Sequence, residues 1–217
     1  MPMKVAVLFS GGKDSTFTTY ECLKRGYDIR FHHPNVWLAE LQAKSMGIPA
    51  VTKSTKGEHD SETEDLRMAV VKVRKDVDGI VAGGLSTRYQ LDQVARICQG
   101  NELKVITPIW GVEPGKYWNM LMEAGFEIII TAVEHEGLGK SWLGKSINRK
   151  SLTELRKRSR KYGFHLAGEG GEFQTLVLDA PMFKKKLIVM DAEKVWEKGR
   201  GIYVVRDAIL TDKKELN

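Results

Sequence analysis

Residues 5–15 read V-A-V-L-F-S-G-G-K-D-S. The apolar run stops at Ser10, two glycines follow, and three polar side chains come next. This spacing predicts a buried strand, a tight turn and a helix, because glycine takes positive φ without strain and lets the backbone approach a ligand closely. Such a turn gathers backbone N–H groups at a helix start, where partial positive charge favours an anion. Ser10 and Ser15 add hydroxyl donors and Lys13 adds a cation. Asp14 is the odd member. A carboxylate beside phosphates is repulsive unless it binds a cation, with Mg²⁺ the expected one, or unless it orients the loop by hydrogen bonding.

The same alternation of apolar run and amphipathic segment continues to about residue 110. Strands are expected at Val5–Phe9, Tyr27–Phe31, Ile48–Thr52, Ile80–Ala82 and Leu103–Thr107. Helices are expected at Ser15–Arg25, Val36–Met46, from Ser61 to about Asp76, and at Tyr89–Gln99. Gly26 and Gly47 stand where helix C-caps belong, and Ser61-Glu62-Thr63-Glu64 has the spacing of a capping box. Short apolar strands alternating with helices predict an α/β fold, a Rossmann-like, doubly wound parallel sheet of five strands. In such sheets a ligand sits at the carboxyl ends of the strands, near the point where strand order reverses.

After Trp110 the pattern becomes mixed. Helices are expected from Glu113-Pro114-Gly115 to about Ala124 and at Ser151–Tyr162, with strands at Phe126–Val133, Phe173–Leu178, Lys186–Met190 and Ile202–Ile209. This predicts a smaller C-terminal α+β domain, so the boundaries are 1–110 and 111–217.

The 217 residues suffice for one large domain or two small ones. No apolar stretch approaches a membrane span. A first strand beginning near Lys4 leaves no room for a leader, which predicts a cytoplasmic protein. Two distant cysteines, Cys22 and Cys98, argue against a disulfide framework and against a C-x-x-C metal or redox site. The formal charge of +6, with basic residues crowded at 149–161, favours an anionic partner or else a solvated helix face. No nucleic-acid-binding motif accompanies it, so direct nucleic-acid binding is not expected.

A second stretch, G-K-S-W-L-G-K-S at 139–146, formally fits the P-loop pattern G-x-x-x-x-G-K-S. Trp142 and Leu143 weigh against it, being bulky and apolar where the backbone would wrap phosphate. The long entry from Val133 to Gly139 and the lack of parallel αβ units afterwards weigh against it too. His135, between Glu134 and Glu136, invites a metal reading, but a lone histidine in a charged loop is ordinary surface.

The string S-G-G-K-D-S resembles the PP-loop of the N-type ATP pyrophosphatases (adenine nucleotide alpha-hydrolase-like). The likeness continues through F-H-H-P-N at 31–35, G-I-P at 47–49, G-G-L-S-T-R-Y-Q at 83–90, P-I-W-G at 108–111, W-L-G-K at 142–145 and G-E-G-G-E-F-Q-T-L-V-L-D-A-P-M-F at 168–183. Together these resemble the diphthine–ammonia ligase family over essentially the whole chain. One departure is Ala167, where the family more often has cysteine.

The resemblance implies an enzyme that forms a C–N bond. It would use ATP to adenylate the diphthine carboxylate of translation elongation factor 2, then amidate it with ammonium to diphthamide, releasing AMP and pyrophosphate. Residues 1–110 would be the PP-loop ATP-binding domain and 111–217 the substrate-binding domain. Ser10, Gly11, Gly12, Lys13, Asp14 and Ser15 would hold the pyrophosphate, with Asp14 on Mg²⁺. His32, Gly83 and Gly84 would flank adenosine and the α-phosphate. Ser86, Tyr89 and Gln90, with Glu169, Gly170, Gly171 and Glu172, would shape the site for diphthine and ammonium. Lys13, Asp14, Glu169 and Glu172 are the expected catalytic residues. The partners implied are ATP, ammonium and the diphthine-bearing factor, without a membrane, and a homodimer is left open. The alternatives are another adenylating PP-loop enzyme acting on RNA or a small acid, and a non-catalytic adenine-nucleotide-binding protein.

Overall fold

The computed structural model describes residues 2–34, 37–53, 59–85 and 88–213, without the side chains of 30–34, 51–53, 59–62 and 90. The chain divides into two compact units, Met1–Gly111 and Val112–Asn217. The second unit is the shorter by only a few residues.

The first unit alternates strand and helix: β1 (Lys4–Leu8), α1 (Lys13–Lys24), β2 (Asp28–Pro34), α2 (Trp37–Met46), β3 (Ala50–Lys53), α3 (His59–Val73), β4 (Gly79–Val81), α4 (Arg88–Gln99) and β5 (Lys104–Ile106). All five strands pair in parallel in the order β3-β2-β1-β4-β5. Val5, Ala6 and Val7 are each fully buried, so both faces of β1 are covered, as the uninterrupted apolar run requires. Ala6 and Ile80 pack with Val70 and Val73 of α3 and Val94, Ile97 and Cys98 of α4 in one core cluster. The chain winds outward from β1 through β2 to β3, then returns to the other side of β1 for β4 and β5. The reversal therefore lies between β1 and β4, whose residues Val7 and Val81 stand in register.

Two helix starts differ from expectation. The first helix begins at Lys13, not Ser15, so the turn is shorter and the lysine itself opens the helix. The third begins at His59, which puts Ser61 inside the first turn rather than at the cap. The expected start at Val36 lies outside the described residues.

The second unit contains α5 (Pro114–Glu123), β6 (Glu127–Val133), a 3₁₀ turn (Lys140–Trp142), α6 (Arg149–Tyr162), β7 (Phe173–Asp179), β8 (Lys185–Glu197) and β9 (Arg200–Asp212). Its sheet is antiparallel, in the order β7-β6-β9-β8. Glu113 caps α5, its carboxylate accepting from the Gly115 and Lys116 amides at 2.7 and 2.6 Å, with Pro114 at the first helical position. Asn148 and Ser151 form a reciprocal capping box on α6, which stops at Gly163 in the left-handed region. Tyr117, Trp118, Leu121, Ile128, Ile130 and Trp142 are fully buried and supply the bulk of the core.

Both strands of the last hairpin run far beyond their expected ends, to 13 residues each. They are joined by Lys198 and Gly199, with φ of 48° and 80°. Two positive φ angles match the twist of the flanking strands. Lys-Gly announces such a turn less clearly than Asn-Gly does, and the polar residues of 191–200 read as loop.

Candidate active site

The segment Ser10–Ser15 links the carboxyl end of β1 to α1 beside the strand-order reversal. Gly11 has φ 75°, and a Cβ there would stand 2.3 Å from Gln42 Oε1. Gln42 of α2 is completely buried and its Nε2 donates to the Gly11 carbonyl at 3.0 Å. Gly12 is the N-cap residue of α1 and no side chain caps the helix there. The Thr16 amide and hydroxyl both reach the Gly12 carbonyl, at 3.1 and 2.8 Å. Ser15 Oγ accepts from the Ser10 amide at 3.0 Å and lies 3.1 Å from Ser10 Oγ. The turn is therefore fixed from inside by Ser15 and Thr16 and from outside by Gln42. Gly12 has no side chain to cap α1, and its amide donates to Ser10 Oγ at a long 3.4 Å, a contact weak enough for an anion to replace.

Lys13 is only 3% exposed, and its Nζ donates to Asp14 Oδ2 at 2.8 Å. The other oxygen, Asp14 Oδ1, is buried and has no hydrogen-bond partner among the described residues. An orphaned carboxylate oxygen is costly unless something fills it. A divalent cation suits that oxygen chemically. Among the described residues no group of three or more His, Cys, Asp or Glu side chains could cage a metal. Mg²⁺, which keeps waters and shares phosphate oxygens, needs only one or two carboxylates.

The loop after β4 completes this corner. A Cβ on Gly83 would stand 3.1 Å from the Asp14 carbonyl carbon and the Ser15 amide nitrogen. Any side chain at 83 would push against the start of α1. Gly84 has φ 141°, and the Leu85 carbonyl accepts from the Gly111 amide at 2.8 Å. His32 stands opposite Leu8 in the β1–β2 register, one strand away from this corner, and its side chain lies outside the description. Tyr89, in the first turn of α4, is 65% exposed. Ser86 lies outside the described residues, as does the Gln90 side chain.

The Glu169–Glu172 turn belongs to the second unit. Both oxygens of Glu172 are taken by backbone amides, Oε1 from His165 at 2.7 Å and Oε2 from Gly170 at 2.9 Å. This carboxylate closes the turn on itself, with Gly168 and Gly171 at φ 74° and 85°. His165 Nδ1 accepts weakly from the Ala167 and Glu169 amides, at 3.3 and 3.4 Å. Sequence reasoning missed Gln42, Thr16 and His165. Gln42 alone carried a signal, as a polar residue among Leu38, Ala39, Ala43 and Met46 on the buried side of α2.

The second glycine–lysine stretch is built differently. Trp142 and Leu143 are completely buried. Gly144 and Lys145 exchange backbone bonds with Ile130, and Ile147 donates to the Ile128 carbonyl. Lys145 Nζ lies 2.6 Å from Glu154 Oε2 and 4.1 Å from the centre of the Trp142 ring. Only a three-residue 3₁₀ turn starts at Gly139-Lys140-Ser141, and no helix starts at Gly144-Lys145-Ser146, since α6 opens at Arg149.

The structure thus brings a helix start, a buried lysine and an aspartate together beside the strand-order reversal of a Rossmann-like parallel sheet. The chain belongs to the diphthamide synthase family: the N-terminal domain of that family matches residues 3–105 and the C-terminal domain residues 113–211. It is 29% identical to the diphthine–ammonia ligase of Danio rerio over 227 residues, covering 89% of each chain. Identity to the human diphthine–ammonia ligase is also 29%, over 89% of this chain and 85% of that one. The Schizosaccharomyces pombe diphthine–ammonia ligase is 29% identical over 98% of this chain, which spans 40% of that longer protein. No described helix is long and apolar enough to cross a membrane.

Proposed function

We propose that this protein is an ATP-dependent C–N ligase that adenylates the carboxylate of diphthine on elongation factor 2 and amidates it with ammonium, releasing AMP and pyrophosphate. The observation that carries the reading is the start of α1, where Lys13 and the uncapped backbone lie against an Asp14 with one unfilled buried oxygen. A carboxylate is a poor electrophile, and converting its oxygen to an AMP ester supplies a leaving group that ammonia can displace. The charge that grows on the departing pyrophosphate is what a helix start and a lysine stabilise.

In this reading the backbone amides at Gly12 and Lys13 and the hydroxyls of Ser10 and Ser15 hold the β- and γ-phosphates. Lys13 exchanges its contact with Asp14 for phosphate oxygens. Mg²⁺ on Asp14 would offset phosphate charge. Gly83 keeps the β4 loop close to the start of α1, which leaves room for the α-phosphate beside Gly84. The turn at Glu169–Glu172 serves the cationic substrates: Glu172 holds its shape and Glu169 supplies the carboxylate for ammonium or for the trimethylammonium of diphthine. AMP and pyrophosphate should form only when diphthine-bearing elongation factor 2 and ammonium are both supplied. ADP and inorganic phosphate as products would sink the pyrophosphatase reading, and AMP formation indifferent to the protein substrate would sink the diphthine assignment.

A further inference from the structure

The second unit contains a cavity of about 470 Å³ between α5, α6 and the segment that leads into the Glu169–Glu172 turn. Lys116 and Asn119 of α5, Arg156 and Arg160 of α6, Glu113 and Leu166 line it. Three cations thus face one carboxylate. That carboxylate is committed, because Glu113 accepts the first two amides of α5. Arg156 is held in place, its Nη2 donating to Asn119 Oδ1 at 2.8 Å and to the Gly115 carbonyl at 3.2 Å. Among the described residues the side chains of Lys116 and Arg160 make no ion pair or hydrogen bond. Three cations facing a single carboxylate on a concave wall leave an excess positive potential that a complementary anion relieves.

We infer that this cavity docks an acidic stretch of the protein substrate, with Asp or Glu side chains entering between Lys116, Arg156 and Arg160. This rests on the ligase reading proposed above. A polypeptide fits better than a nucleic acid, because no aromatic side chain lines the cavity to stack a base. Location supports the role. Leu166 lines the cavity, its carbonyl accepts from Trp118 Nε1 at 3.0 Å, and it lies two residues before Gly168. A chain anchored here is held within a few residues of the turn assigned to diphthine. The fixed guanidinium of Arg156 also offers the planar fork that carboxylates accept.

The test is the double charge reversal Lys116→Glu/Arg160→Glu, with Lys116→Gln/Arg160→Gln as a milder pair and Lys198→Glu, at the tip of the β8–β9 turn, as a charge control. Thermal melting and ATP affinity report folding. Amidation kinetics with the diphthine-bearing factor should show KM rising about tenfold or more in the reversal while kcat changes little, and wild-type KM rising with salt. A labelled oligoglutamate peptide should bind wild type and lose about tenfold in affinity in the reversal. An unchanged KM, or a KM that rises equally in Lys198→Glu, overturns the proposal. So does an oligouridylate that binds wild type more tightly than oligoglutamate and is lost in the reversal. A wild-type protein that makes no AMP with its protein substrate overturns the ligase reading instead, while the peptide arm still measures whether the cavity takes carboxylates.

Discussion

Two loops of this chain carry glycine, lysine and serine in phosphate-binding spacings, and they are built in opposite ways. At Ser10–Ser15 the backbone leaves a parallel strand and turns straight into a helix, with its polar groups gathered around one point. At Gly139–Ser146 the chain is pinned along β6 by backbone bonds, its tryptophan is completely buried, and its lysine is spent on Glu154. A pattern of glycine and lysine therefore says little until it is known where the helix starts. Anion binding draws on the N–H groups at a helix start, and the first loop opens a 12-residue α-helix whereas the second holds only a three-residue 3₁₀ turn.

The largest effect expected of this difference is on stability. Trp142→Ala should cost about 3–5 kcal/mol, the usual range for removing a buried tryptophan. It is read as a lower denaturation midpoint, with residual folded protein still binding ATP. Loss of ATP affinity with stability intact would make the second loop the nucleotide site. Next comes the chemistry. Lys13→Ala should lower ATP turnover by about 100- to 1,000-fold, as for loss of one transition-state charge contact. Lys145→Ala should leave turnover within about threefold, because its partner Glu154 is surface-exposed. The reverse ranking, measured as AMP release, would exchange the roles of the two loops.

Glycine substitutions separate strain from function. Gly11→Ala and Gly144→Ala both put a Cβ at positive φ against a neighbour, Gln42 Oε1 at 2.3 Å in one case and the Tyr203 ring at 2.8 Å in the other. Each should destabilise by about 1–3 kcal/mol. Only Gly11→Ala should also weaken ATP binding, measured by titration at a temperature where both variants are folded. Equal losses of ATP affinity would mean that both loops touch the nucleotide.

The first unit was largely legible because its central strands β1 and β4 are buried and read as plain apolar runs, V-A-V-L and G-I-V. The second was legible in its capped helices, where Glu113-Pro114 and Gly163 mark the ends. The last hairpin was legible only in part: Lys186–Met190 and Ile202–Ile209 read as strand, but the stretch from Asp191 to Glu197 did not, since Val195 is exposed among charged neighbours and a half-solvated strand looks like loop. At the site, the strand–glycine–lysine string located the cradle. The brace from Gln42 was hidden because it comes from α2, 31 residues away in sequence, and only tertiary packing brings it to Gly11. The structural part that Glu172 plays, holding the amides of a turn with two positive-φ glycines, was not legible in the sequence, because it depends on how the loop folds back on itself.

The smallest effect concerns the pairing that occupies Lys145. The Glu154 carboxyl is held below its ordinary value of 4.5, chiefly by the hydrogen bond from Lys145 and secondarily by its charge and by Arg158. A group whose pKa is lowered in the folded state contributes its full stability above the unfolded value and loses it as pH falls through the folded one. Wild type should therefore exceed Glu154→Gln by about 0.5 kcal/mol at neutral pH, small because the pair is largely solvated. The difference should vanish in denaturation curves taken well below pH 4.5. Lys145→Ala should flatten the same acid limb while leaving AMP release nearly intact. If that substitution instead left the acid limb unchanged, Lys145 would not be held by Glu154 and would be available for an anion, and the contrast between the two loops would lose its basis.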